Sequence, residues 1–174
     1  MRIAIVGVHY GHIGGMVQSA RKAAGSELVG FVEADDVLYE RYTKDGPIPR
    51  YDSVDSLLRE AQPDVVLEGV VHNAKADLIE ACAAAGVHVL LDKPLCRTLE
   101  DWDRIRAAVT AAGTKLSMWF TSRSHPPFVA LHDAVAAGKL GDLVSLISTH
   151  PHKTSRASAP PWYFDPNVYT GPFH

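Results

Sequence analysis

Gly86-Val-His-Val-Leu-Leu-Asp-Lys-Pro-Leu95 is the stretch that decides the fold. Its run over residues 88–91 has the composition of a strand covered on both faces, as in a parallel sheet. Gly86 ends the helical pattern before it, and Asp92-Lys93-Pro94 turns the chain at its far end. The carboxyl ends of parallel strands are where open α/β sheets bind their ligands. Pro94 fixes its own φ and disfavours helix at Lys93, so the lysine is presented from a turn of set direction.

The alternation continues outward on both sides. Strand patterns cover residues 3–6, 28–33, 65–68, 115–119 and 143–148, and helical patterns cover 13–24, 37–43, 54–60, 74–85, 99–112 and 127–137. Ser53 reads as an N-cap, Thr98 with Asp101 as a capping box, and Gly25, Gly86, Gly113 and Gly138 as helix stops. Strands alternating with helices of this length specify βαβ units. Right-handed crossovers then close them as an α/β fold, a Rossmann-type doubly wound parallel sheet. Around Thr121 the pattern changes, and Thr121-Ser-Arg-Ser-His-Pro-Pro127 is polar and proline-rich, as a hinge would be. The expected organisation is this α/β domain over 1–122 and the start of an incomplete α+β domain over 123–174. Residues 151–174 hold Trp162, Tyr163, Phe164, Tyr169 and Phe173 without a periodic pattern. Such a tail is expected to need a packing surface that this chain does not supply.

Bulk composition narrows the function classes. The chain has 174 residues, 47% apolar and 21% charged, with a net charge of −3, so no basic face points to nucleic acid. Cys82 and Cys96 have no framework or CxxC spacing, which suits reduced thiols, burial rather than catalysis, and a cytoplasmic protein. The opening Met1-Arg-Ile-Ala-Ile-Val is a strand leading to a glycine rather than a leader, and no apolar run is long enough to span a bilayer.

After the first strand comes Gly7-Val-His-Tyr-Gly-His-Ile-Gly14. A dinucleotide turn wants glycines at relative positions 0, 2 and 5, and here the second and third are His9 and His12. Gly7 is in register, while Gly11, Gly14 and Gly15 still allow close backbone approach. The helix opening at Ile13 offers N–H groups to an anion. Glu33 closes the next strand, 26 positions after Gly7. A carboxylate there accepts from a ribose 2′-OH and repels a 2′-phosphate, which favours NAD over NADP; the alternative is a solvated turn with Asp35 and Asp36. No arginine follows closely in sequence. His9 and His12 can contact the pyrophosphate or close the turn. A metal site would need further ligands, and none lies nearby in sequence, so no metal is expected.

Glu68 is a charge inside a strand expected to be buried, so it stands at the strand's end or serves a function. Asn73 is a candidate contact and equally a candidate N-cap for the next helix. Lys93 can donate a hydrogen bond to a substrate oxygen, or be a plain surface lysine.

Asp92-Lys93-Pro94 with its flanks resembles the Glu/Asp-Lys-Pro signature of the Gfo/Idh/MocA-type NAD(P)-dependent oxidoreductases, the sugar and inositol dehydrogenase family. Leu116 to Pro126 is similar to that family's sixth strand and following turn, Gly138-Lys-Leu-Gly-Asp-Leu-Val144 to its lead into the substrate domain, and Trp162-Tyr-Phe-Asp165 to its aromatic segment. The resemblance implies that Lys93 is catalytic. It implies that the cofactor is contacted by Gly7, His9, Gly11, His12, Ile13, Glu33, Val70, His72, Asn73, Asp92, Lys93, Pro94 and Arg123. Departures are Val70-Val-His72 where the family commonly has Thr-Pro-Asn, and Lys75 where it often has histidine. The family's Asp-x-x-x-His helix has no counterpart, since His174 falls too early in the pattern.

The sequence therefore predicts an NAD-dependent oxidoreductase acting on a sugar, polyol or related secondary alcohol. The chain is expected to be an N-terminal fragment with little turnover of its own and to self-associate through the substrate domain. The other readings are a non-catalytic dinucleotide-binding sensor and, less simply, a nucleotide-dependent transferase. Lys93 discriminates between enzyme and sensor, and Glu33 argues against the transferase.

Overall fold

The structure is a computed structural model that describes residues 1–149, 157 and 159–169. Five strands form one parallel sheet: β1 Arg2–Val6, β2 Glu27–Val32, β3 Val65–Glu68, β4 His88–Asp92 and β5 Leu116–Trp119, in spatial order β2-β1-β3-β4-β5. The helices are α1 Ile13–Lys22, α2 Asp36–Thr43, α3 Val54–Ser56, α4 Lys75–Ala84, α5 Leu99–Ala112 and α6 Pro126–Ala136. The chain runs from β1 to β2 on one side, then crosses back to β3 on the other. The switch point of the sheet thus lies between β1 and β3, where open α/β sheets form their ligand crevice.

Period-two alternation explains the two-sided core. In β1, Ala4 and Val6 face a cluster with Val66, Ile79, Cys82, Val89, Leu91 and Ile105. Ile3 and Ile5 face the opposite cluster with Ile13, Met16, Val17, Phe31 and Leu67. Both faces are covered, which is why the strands read as nearly continuous apolar runs.

Local signals act as expected at several ends. The Ser53 side chain accepts from Ser56 N–H and makes a reciprocal capping box, and Thr98 accepts from Asp101 N–H at 3.0 Å. Gly25, Gly86, Gly113 and Gly138 all take positive φ. The helical pattern over 54–60 is one short α turn followed by a π turn over Leu57–Ala61, closed by left-handed Gln62. Asn73 is not an N-cap. It lies in the 3-10 turn His72–Ala74, and α4 begins after Ala74 with no side-chain cap.

Two expectations are corrected. Residues 143–148 form no strand, and Leu143, Val144, Leu146 and Ile147 are exposed, because no described strand lies beside them to take their backbone hydrogen bonds. The segment resembling the family's sixth strand is therefore the fifth and last of the described sheet. The aromatic tail does find a surface within the chain. The 3-10 turn Pro161–Phe164 and buried Tyr169 pack against the turn after β1 and against His72, while Phe173 and His174 lie outside the described residues. Among the described residues no helix is long and apolar enough to cross a membrane.

Candidate cofactor site at the switch point

Turns leaving β1, β3 and β4 meet at the carboxyl edge of the sheet, and their backbones are laced together. Gly7 N–H donates to Val32 O at 2.9 Å, Gly69 N–H to Val6 O at 3.0 Å and His9 N–H to Gly69 O at 3.0 Å. Gly7 has φ +68°, and a Cβ there would lie 2.8 Å from Val70 Cγ1. A Cβ on Gly69 would in turn stand 2.8 Å from the Gly7 carbonyl oxygen. Glycine at position 7 is thus required by backbone conformation and by packing together.

Beyond Gly7 the turn is more open. Nothing lies within 4 Å of a Cβ built on Gly11, and the N–H groups of Tyr10, Gly11 and His12 donate to no group among the described residues. An anion such as a pyrophosphate suits that arrangement, since three adjacent amides are free before a helix starts. Ile13 is fully buried beneath Gly69, so its side chain supports the turn from the core.

Glu33 is 6% exposed at the end of β2. One carboxylate oxygen accepts from Val8 N–H at 3.1 Å and the other from Asp35 N–H at 3.0 Å. Each oxygen keeps a second lone pair, so the group can still accept from a ribose hydroxyl. These residues fit a dinucleotide.

Asp92 and Lys93 close the crevice from the β4 side. Asp92 is fully buried, and its carboxylate takes His12 Nδ1 at 3.1 Å and Lys93 N–H at 2.8 Å. His12 therefore joins the glycine turn directly to the Asp-Lys-Pro turn. His9 instead sets its ring edge-on to Trp162, so the two histidines engage different partners. The Lys93 ammonium, half-buried, has no hydrogen-bond partner among the described residues. Pro94 follows it through a cis peptide bond. Arg123 sits beyond β5 over the Phe120 ring, and Asn73 is exposed; neither contacts the other candidates by a hydrogen bond or ion pair among the described residues.

Several participants escaped the sequence reading. Lys75, fully buried, donates to Glu68 Oε2 at 2.8 Å and to Asp92 O at 2.6 Å. Glu68 is thus both at the strand's end and paired: burial pushes its carboxyl up, and the Lys75 ammonium opposes that shift. The signal was available as two opposite charges seven residues apart in otherwise apolar elements. Tyr10 stacks on His72 with centroids 5.0 Å apart, and Trp162 meets it edge-on at 5.0 Å. Burial, with lesser help from Lys75 and Lys93, lowers His72 to about 4. Arg97 ties the tail to this edge by donating to the Pro166 and Asn167 carbonyls. Cys82 is buried and its thiol pushed up to about 12 by desolvation, which suits a packing role. An apolar groove of about 310 Å³ between α5 and β5, lined by Leu95, Trp102, Val109 and Met118, lies apart from these turns and gathers little polar chemistry.

A family model described as an oxidoreductase family with an NAD-binding Rossmann fold matches residues 1–120. This chain belongs to the Gfo/Idh/MocA family. Myo-inositol 2-dehydrogenase of Thermotoga maritima is 31% identical over 92% of the chain and 47% of its own length. For 1,5-anhydro-D-fructose reductase of Ensifer adhaerens the values are 30%, 72% and 38%. A crystal structure from Erwinia carotovora atroseptica superposes with a TM-score of 0.88 at 26% identity, covering 97% of this chain and 51% of the other. The chain therefore spans less than half the length of the curated relatives it matches. In this Gfo/Idh/MocA protein the Asp92-Lys93-Pro94 turn stands at the end of β4, beside the crevice, with Lys93 adjoining the glycine turn through Asp92 and His12.

Proposed function

We propose that this chain carries the cofactor site of an NAD-dependent dehydrogenase acting on a sugar, polyol or related secondary alcohol. The inositol dehydrogenase and anhydrofructose reductase among its relatives support the substrate class, and Glu33 supports NAD over NADP. The observation that carries the reading is the chain of contacts from the Gly7 turn through His12 and Asp92 to Lys93.

Gly7, Gly11 and the N–H groups of residues 10–12 would hold the pyrophosphate, and Glu33 the adenosine ribose. When bound, the cofactor supplies the hydride acceptor or donor. Lys93 then donates a hydrogen bond to the substrate oxygen and steadies the charge that develops there as the C–H bond is made or broken. Asp92 fixes the turn by accepting from Lys93 N–H, which leaves the ammonium free to move onto the substrate. Val70, His72 and Pro94 would line this side of the crevice. The second proton-handling group would come from residues outside those described, as would most of a second domain and the surface for self-association. Residues 123–174 would begin that domain, and this chain alone would turn over little.

The test is hydride transfer between NAD and a panel of polyols including myo-inositol, in a form of the protein that turns over. Lys93→Ala is expected to lower kcat by about 100-fold or more while NADH affinity stays within about twofold. Unchanged turnover in Lys93→Ala would remove Lys93 from the chemistry.

A further inference from the structure

The ribose end of the crevice holds an arginine that no sequence motif announces. Arg50 pairs with β2 through an isolated parallel bridge to Phe31, which brings it level with Glu33 although it lies 17 residues further on. Its Nε and Nη2 donate to Glu33 O at 3.0 and 2.7 Å, and Nη2 also reaches Ala34 O at 3.1 Å. The guanidinium lies over the Tyr39 ring, 4.6 Å from its centroid. Nη1 is turned outward and donates to Asp36 Oδ1 at 2.6 Å. A third of the Arg50 side chain is exposed, against 79% of the Asp36 side chain.

We propose that the Asp36–Arg50 pair sets the cofactor preference of this chain: Asp36 neutralises a guanidinium that would otherwise bind a 2′-phosphate. This rests on the dinucleotide reading above. Arginine near the end of β2 is the group that accommodates the 2′-phosphate in sheets of this kind. Here the backbone carbonyls and Tyr39 fix the guanidinium, so little ordering remains to be done on binding. Its Nη1 donates to the Asp36 carboxylate at 2.6 Å, so the donor a 2′-phosphate would use is occupied and its charge is offset.

With Asp36 in place, an incoming 2′-phosphate meets two carboxylates, Glu33 and Asp36, and one guanidinium already engaged. Without Asp36, the phosphate gains charge-assisted hydrogen bonds from Nη1 and loses one repulsion. Glu33 stays anchored on Val8 and Asp35 N–H in either case, so ribose recognition of NADH is untouched.

The experiment compares NADH and NADPH, which differ only in the 2′-phosphate, by calorimetric titration of the full chain. The parent is expected to bind NADH at least about tenfold tighter than NADPH. Asp36→Asn should tighten NADPH by about tenfold and leave NADH within about twofold. Asp36→Asn combined with Arg50→Met should lose that gain while NADH binding persists, which also shows that the site is folded. A parent that binds both equally, an Asp36→Asn variant with unchanged NADPH affinity, or a gain that survives Arg50→Met would each overturn the proposal. A folded parent that binds neither nucleotide would overturn the dinucleotide reading itself and this inference with it.

Discussion

Lys75 has no exposure to water and donates to Glu68 and to the carbonyl of Asp92. Removing one member of such a pair leaves the other charge buried and uncompensated, at a cost of about 3–5 kcal/mol. Lys75→Met should lower the unfolding free energy by that amount in urea, and adding Glu68→Leu should restore most of it. Simple addition of the two single costs would show that they act independently. Glu68 was legible in the sequence as a carboxylate needing a partner, but Lys75 looked only like a departure from a family histidine. The pairing is set by where α4 starts relative to the end of β3, which residue types alone do not fix. Arg50 was hidden for a related reason. It reaches Glu33 through one bridge across the sheet edge, not through any spacing visible along the chain.

The 3-10 turn His72–Ala74, between β3 and α4, carries a pH dependence of its own. His72 titrates near 4 in the folded chain, mainly through burial, against about 6.5 when unfolded. As pH falls below about 6.5 the unfolded chain takes up this proton first, so stability is lost progressively between about 6.5 and 4. Each pH unit across that window removes about 1.4 kcal/mol at most, a total of about 3 kcal/mol. Glu68, raised by burial, acts in the opposite sense, so the contrast between the parent and His72→Gln isolates the histidine. Urea midpoints taken across that range should show the parent losing stability relative to His72→Gln as pH falls; a constant difference would mean that His72 does not titrate there. At this scale the sequence was informative wherever a local signal sufficed. The Ser53 cap and the positive-φ glycines act as read, and Thr98 caps Asp101 N–H, although the reciprocal half of the expected Thr98–Asp101 capping box is not made among the described residues. It misled over residues 143–148, because an apolar run describes a strand only if a neighbour accepts its backbone bonds.

Taken whole, the chain is a parallel sheet whose functional edge is dressed by its own aromatic tail. Trp162 lies edge-on to Tyr10 at 5.0 Å, in the turn that would receive the pyrophosphate, and Tyr169 sits 4.6 Å from His72. Trp119 approaches the start of α1 at Gly15. Trp162 therefore stands beside the glycine turn and Trp119 beside the helix after it, and Trp162→Phe should reduce any emission change on binding while leaving the affinity within about threefold. An emission change undiminished in Trp162→Phe would show that Trp162 does not sense the turn. The sheet and the Asp-Lys-Pro turn are readable in the sequence, since they rest on local periodicity and a specific triplet. The covering of the turn by residues 161–169 is not, because aromatic packing without periodicity leaves no pattern. The most direct measurement is a titration of NADH into the folded chain followed by tryptophan emission, alongside Gly7→Val. Saturable binding by the parent and none by Gly7→Val, whose side chain has no room beside Val70, is the predicted result. A folded parent that shows no saturable binding, or a Gly7→Val variant that binds as well, would contradict the account.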